Sequence, residues 1–194
     1  MNKISNNNWN EYYKKVKKNP RKLLVKAIKY AKNKNYALDL GAGNLRDTKY
    51  LLKNKLMHID AVDKSKEIYQ FAKELNNEKI TIYRMTFNKF NFDKKYDLIN
   101  AQYSLPFMNK KDLFKVLPKI KKSLNKSGIF TGEFFGVRDS QNRDKSMTFL
   151  DIKEAKKIFN NLKLIYFYEE EKDGKTAIGE EKHWHIFHFI AKKK

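Results

Sequence analysis

Cysteine is absent from the chain, which excludes disulfides and thiolate-bound zinc. No apolar run reaches the roughly 18 to 20 residues of a membrane helix. The N-terminus, MNKISNNNWN, lacks the apolar core of a signal peptide. A soluble, cytoplasmic protein without a membrane partner is the expectation. No repeat and no low-complexity linker divides the 194 residues, enough for one domain with a sizeable core. Hydrophobic residues at 41% and aromatics at 14% exclude a disordered chain. Acidic residues are scarce: 22 Asp and Glu face 43 Lys and Arg, a formal charge of +21. Such an excess suits phosphates on a nucleic acid. Yet the lysines are spread along the whole chain, arginines are few, and Asn is heavily used as well, as in KNKNY and KKSLNKSG. Compositional drift accounts for that pattern, so a nucleic-acid partner is permitted by the charge but not favoured by it.

What is present is a rhythm of strands and helices. Residues 8 to 32 read as two helices, the second opened by Pro20. YALDL (Tyr36 to Leu40), LMHIDAVD (Leu56 to Asp63), KITIYRM, KYDLINA (Lys95 to Ala101) and GIFTGEFF (Gly128 to Phe135) read as strands with helices between them. FLDIKEAKKIFNNL is a helix whose Asp151 and Glu154 have capping-box spacing. LKLIYFYEEE and HWHIFHFIAKK are strands flanking a turn-rich stretch at Asp173-Gly174. The alternation predicts an α/β fold: a doubly wound, mostly parallel seven-stranded sheet with helices on both faces. No helix joins the last two strands, so they run antiparallel to each other, adjacent or not. The division is one domain, 1–194, with a helical segment over 1–35 and the sheet core over 36–194.

The first strand ends in ALDLGAGNLRDT. Gly41 and Gly43 allow a ligand close to the backbone, and the helix that follows offers free amides. A dinucleotide fingerprint needs a third Gly at position 46, where this chain has Arg46. No G-K-[ST] follows, so the Walker pattern fails as well. Asp39 would repel a pyrophosphate but attract an ammonium group. Asp63 ends the second strand 22 residues after Gly41, the spacing at which a carboxylate grips ribose hydroxyls. A ribose beside a cation describes S-adenosylmethionine. Local roles compete with these: Asp39 as a cap of the turn, and Asp63 as a cap of the next helix, where Ser65 is the better candidate.

ALDLGAGNLRDTKYLL, IDAVDKS, YDLINAQYSLPFM and SGIFTGEFFG, in that order, resemble the successive motifs of class I S-adenosylmethionine-dependent methyltransferases. RDT, AQYSLPF and the ending EEKHWHIFHFIAKK resemble the tellurite-resistance-type and thiopurine-type small-molecule branch. The resemblance implies a Rossmann-like methyltransferase fold with an antiparallel last strand, and S-adenosylmethionine as cofactor. It also implies roles. Asp39, Gly41, Ala42 and Gly43 would line the methionine part, and Asp63 would hold the ribose with Lys64 beside it. Thr86 and Phe87 would flank adenine, with Thr86 or Asn88 in place of the usual Asp. Gln102 would sit near the methionine or sulfonium. Residues 1–35 would form a lid, bringing Trp9 or Tyr13 to the cofactor, though both also suit simple packing of that helix. Phe87, Phe90 and Phe92 alternate, so at least two of them belong to the core.

The acceptor is harder to read. Methyl transfer is an in-line displacement that positioning and desolvation can accelerate, so no single catalytic residue is obligatory. NAQY (Asn100 to Tyr103) matches only the ends of the [DNS]-P-P-[YFW] motif of amino-methylating nucleic-acid enzymes. Tyr103 is expected to line the acceptor pocket. Arg138 is a candidate for holding an anionic substrate, and His185 for reaching the site as a base. His183 and His185 share a strand face, but no carboxylate or third His falls at a supportive spacing, so no metal is expected. The expectation is methyl transfer to a small-molecule acceptor. A nucleic-acid or protein acceptor is the alternative, as is a degenerate module that binds the cofactor without turnover, which Leu45 and the missing adenine-contact Asp would suit.

Overall fold

Neighbouring residues of the central strands enter different cores. Leu38, Ile99 and Phe130 belong to one apolar cluster, and Ala37, Leu98 and Ile129 to another. Two-sided burial of this kind is what parallel strands covered by helices on both faces require. The computed structural model describes residue 13 and residues 19–176 and 179–194. The elements, in chain order, are α1 (Lys22–Ala27) with a 3-10 turn at Ile28–Tyr30, β1 (Tyr36–Leu40), α2 (Arg46–Lys53), β2 (His58–Asp63), α3 (Ile68–Leu75), β3 (Ile80–Arg84), β4 (Tyr96–Ala101) and a 3-10 turn at Leu105–Phe107. Then come α4 (Lys110–Ser123), β5 (Leu124–Gly136), β6 (Phe149–Leu150), α5 (Ile152–Lys157), β7 (Leu162–Lys175) and β8 (Glu181–Lys193).

The strand order is β3-β2-β1-β4-β5-β8-β7, with the short β6 beside β5. β1 to β5 pair in parallel, and β8 runs antiparallel to both β5 and β7. The seven-stranded plan therefore holds, and β6 is an addition. The two last strands are direct neighbours. The turn expected at Asp173-Gly174 is not there, because β7 continues to Lys175 and pairs with β8 along its whole length. Cross-strand charges extend the ribbon, with Asp173 on His183 at 2.7 Å and Lys175 on Glu181 at 3.2 Å.

Leu113, Val116 and Leu117 of α4 and Ala155 of α5 cover one face of the sheet. Leu24 and Ala27 of α1 and Leu51 of α2 cover the other. α4 runs unbroken through Pro118, and Asn109 caps it by accepting the Asp112 N–H. The capping box of Asp151 and Glu154 is present on α5, although that helix spans only six residues. Among the described residues no helix is long and apolar enough to cross a membrane.

Candidate active site

The strand order reverses between β1 and β4, the place where open α/β sheets bind ligands. Loops leaving the carboxyl ends of β1 to β4 enclose a cavity of about 660 Å³. The β1 loop is tied to β2 by the Gly41 and Ala42 N–H groups, which both donate to the Val62 carbonyl at 2.8 and 3.2 Å. Gly41 and Gly43 have φ of +79° and +50°, a region that L side chains rarely adopt. A Cβ on Gly41 would lie 2.3 Å from Ser104 Cβ, and one on Gly43 2.6 Å from Tyr13 Cε1. Leu45 stands where a third Gly would be easiest, with φ +59°. Its side chain is fully buried against Ala61 and Ile68, which offsets the strain of the left-handed backbone.

Asp63, at the end of β2, faces the cavity. Its Oδ2 accepts the Gly43 N–H at 2.9 Å and its Oδ1 the Ser65 N–H at 2.8 Å. These bonds aim the carboxylate and leave each oxygen a further lone pair. Burial pushes the Asp63 carboxyl above its usual range, against the pull of the two amides. Ser65 does not cap α3 with its side chain; the helix begins after Glu67.

Tyr13, Gly41, Ala42, Gly43, Asp63, Lys64, Thr86, Phe87, Gln102 and Tyr103 all line this one cavity. Phe90 is the core member of its aromatic run, while Phe87 and Phe92 are partly buried beside it. Trp9 lies outside the described residues. Asp39 does not line the cavity. It is buried behind the loop, accepting from Thr48 Oγ1 at 2.6 Å and Asn100 Nδ2 at 2.8 Å. Its burial, and then the charge of Asp47, push its carboxyl up to about 6.

Arg138 and His185 also lie off the cavity. His185 is buried in β8, in space that a Cβ on Gly136 would occupy. Its Nδ1 accepts the Arg138 N–H at 3.1 Å, and its Nε2 bonds Glu169 at 2.8 Å. The Arg138 guanidinium is engaged by Glu169 and Glu171 at 2.7 and 2.8 Å. Carboxylates that linear spacing did not place near His183 and His185 thus arrive across the β7–β8 pairing. Among the described residues no such group is arranged to hold a metal ion.

Several lining residues escaped the sequence reading. Arg21 grips Asp47 through its backbone N–H and its Nη1, each at 3.0 Å, and lies 5.2 Å from the Tyr103 ring centroid. Arg46, the residue that broke the dinucleotide fingerprint, lines the same cavity. Ser104 and Phe107 follow Tyr103 along the wall. Buried acceptors sit on this wall: Gln102 Oε1 and Ser104 Oγ have no hydrogen-bond partner among the described residues.

A family model described as AdoMet dependent proline di-methyltransferase matches residues 13–177. The chain belongs to that family. It is therefore a class I S-adenosylmethionine-dependent methyltransferase domain, with S-adenosylmethionine as cofactor. A relative from Dictyostelium discoideum, alpha N-terminal protein methyltransferase 1, is 34% identical over 102 residues. That match covers 50% of this chain and 38% of the relative, so the chain spans well under half of that protein. Among solved structures, TehB from Haemophilus influenzae superposes with a TM-score of 0.75 at 18% identity, covering 88% of this chain and 61% of that one. The 1,6-didemethyltoxoflavin-N1-methyltransferase of Burkholderia thailandensis gives 0.68 at 17% identity, over 90% of this chain and 77% of that one. The likeness to the tellurite-resistance type thus holds for the fold.

The residues present fit S-adenosylmethionine. The Gly41–Gly43 cradle would be filled by any Cβ, and Asp63 offers free lone pairs toward the cavity.

Proposed function

We propose that this domain methylates an α-amino nitrogen at the N-terminus of a peptide chain. The observation that carries this reading is the wall beyond Gln102, where the aromatic residues Tyr103 and Phe107 line the cavity. An aromatic face attracts an aliphatic ring and a cationic amine together. The family description and the Dictyostelium relative point the same way.

When bound, S-adenosylmethionine supplies a methyl group activated by its sulfonium. The chain's own residues supply position. Gly41 to Gly43 admit the methionine part against bare backbone, and Asp63 accepts from the ribose hydroxyls. Thr86 and Phe87 flank the adenine. Gln102 and Ser104 line the wall beside the methionine part, and Tyr103 and Phe107 hold the acceptor and exclude water. Asp112, farther along the same wall, adds a carboxylate that draws an ammonium inward, and the ammonium releases a proton to solvent before its lone pair takes the methyl group.

A small-molecule acceptor is the second reading. A cavity of about 660 Å³ is within the usual range for small ligands, and the Burkholderia neighbour is crystallised with one. The test is mass spectrometry of methyl transfer to a peptide beginning with Pro and to the same peptide acetylated at its N-terminus. Methylation of the free peptide alone supports the proposal. Equal transfer to both, or transfer only to a panel of small amines, overturns it.

A further inference from the structure

Tyr103 is held in an unusual backbone state. Its φ is +49°, which a bulky aromatic residue adopts only when its surroundings fix it. The conformation occurs where β4 ends. The β4–β5 ladder stops at Ala101 opposite Gly132, so no strand carbonyl continues the pairing for the residues that follow. A carboxylate takes over: the Tyr103 N–H donates to Glu133 Oε2 at 2.8 Å. Glu133 is the next residue of β5 and is buried, at 1% exposure.

The carboxylate is itself fixed from behind. Glu133 pairs in register with His188 of β8, whose Nδ1 lies 3.5 Å from Glu133 Oε1. The Nε2 of His188 bonds Glu170 of β7 at 3.1 Å. A chain of contacts, Glu170–His188–Glu133–Tyr103, therefore runs from the far edge of the sheet to the cavity wall. None of the first three residues lines the cavity. Tyr103 does, with Phe135 and Arg21 against its ring at 6.5 and 5.2 Å between centres.

We infer that Glu133 is a positioning residue for the methyl acceptor: by accepting the Tyr103 N–H it fixes the left-handed turn that presents the Tyr103 ring to the acceptor end of the cavity. The inference rests on the reading of this cavity as a methyl-transfer site. A buried acceptor is needed there, because a side chain without one would leave the amide unpaired, and the turn would relax toward ordinary φ. The ring would then swing away from the acceptor, while the Gly41–Gly43 loop and Asp63 would stay in place.

The test compares Glu133→Leu with Glu133→Gln, which keeps an acceptor oxygen. S-adenosylhomocysteine affinity is measured by calorimetry, and kcat and KM with the Pro-initiated peptide. Glu133→Leu is expected to raise the peptide KM about tenfold, the weight of one charge-assisted hydrogen bond, with S-adenosylhomocysteine affinity unchanged. Glu133→Gln is expected to restore most of the loss. In a Tyr103→Ala background Glu133→Leu should cost nothing further, because the two act as one unit. Unchanged peptide kinetics in Glu133→Leu, additive losses in the double variant, or a parallel loss of S-adenosylhomocysteine binding each overturn the inference. If the wild type methylates no peptide, the acceptor reading alone fails, and amide hydrogen exchange then decides. A protected Tyr103 N–H that becomes fast in Glu133→Leu supports the positioning role, and a fast one in the wild type refutes it.

Discussion

Replacing Asp39 by Asn separates a scaffold role from a cofactor contact. Asp39 is 2% exposed, and its oxygens are taken by Thr48 and Asn100. Its carboxyl is pushed from 3.8 up to about 6, chiefly by burial and then by the Asp47 carboxylate. The native state therefore holds this proton more tightly than the unfolded chain does. The stabilising contribution is complete below about pH 4 and is lost as pH rises toward 6. A shift of roughly two units at 1.36 kcal/mol each makes the change about 3 kcal/mol. Asn is isosteric, can accept from Asn100 and donate to Thr48, and does not ionise. Asp39→Asn should flatten the stability profile between pH 4 and 6 by about that amount. Because Asp39 lies behind the loop, S-adenosylhomocysteine affinity at neutral pH should hold within about threefold, under 1 kcal/mol. Urea unfolding across pH 4 to 8 reads the first effect, and calorimetry the second. An unchanged pH profile with lost cofactor binding would refute the reasoning and make Asp39 a cofactor contact.

The glycine loop gives two further expectations. Gly41→Val should abolish S-adenosylhomocysteine binding in calorimetry, since its Cβ would overlap Ser104 and its φ of +79° is strained for any side chain; retained affinity would show that the loop is not the cradle. Leu45→Gly should leave that affinity unchanged but cost about 2 kcal/mol in urea unfolding, because the loss of a fully buried Leu outweighs the relief of a positive φ; a stabilised variant would contradict this.

The half of the site built from local chemistry was legible in the sequence. Gly41, Gly43 and Asp63 are set by a strand end, a turn and a second strand end, and alternation of apolar segments identifies all three. Residues supplied by pairing were not legible. Glu133 reaches Tyr103 across 30 positions, and Arg21 reaches Asp47 across 26. No local pattern encodes either. The same limit misdirected the reading of β7 and β8. Asp173-Gly174 looks like a turn in isolation, yet cross-strand partners keep it in the ribbon. Arg138 and His185 stand at a strand end and in a strand near the expected acceptor side, but Glu169 and Glu171 arrive opposite them and draw both into the sheet's edge. Asp39 has the right position in its motif, while Thr48 and Asn100, one on the following helix and one on a neighbouring strand, use its oxygens. Tyr103, Ser104 and Phe107 line one wall of the cavity at a turn with a positive φ at Tyr103, which composition does not announce.

The most direct test of the account is calorimetric titration of S-adenosylhomocysteine into the wild type and Asp63→Ala. Saturable one-site binding is predicted for the wild type. Affinity should fall by at least about tenfold in Asp63→Ala, the weight of a lost hydrogen bond to a charged group. Absence of binding to the folded wild type, or equal affinity in the two proteins, would contradict the assignment of this cavity to S-adenosylmethionine.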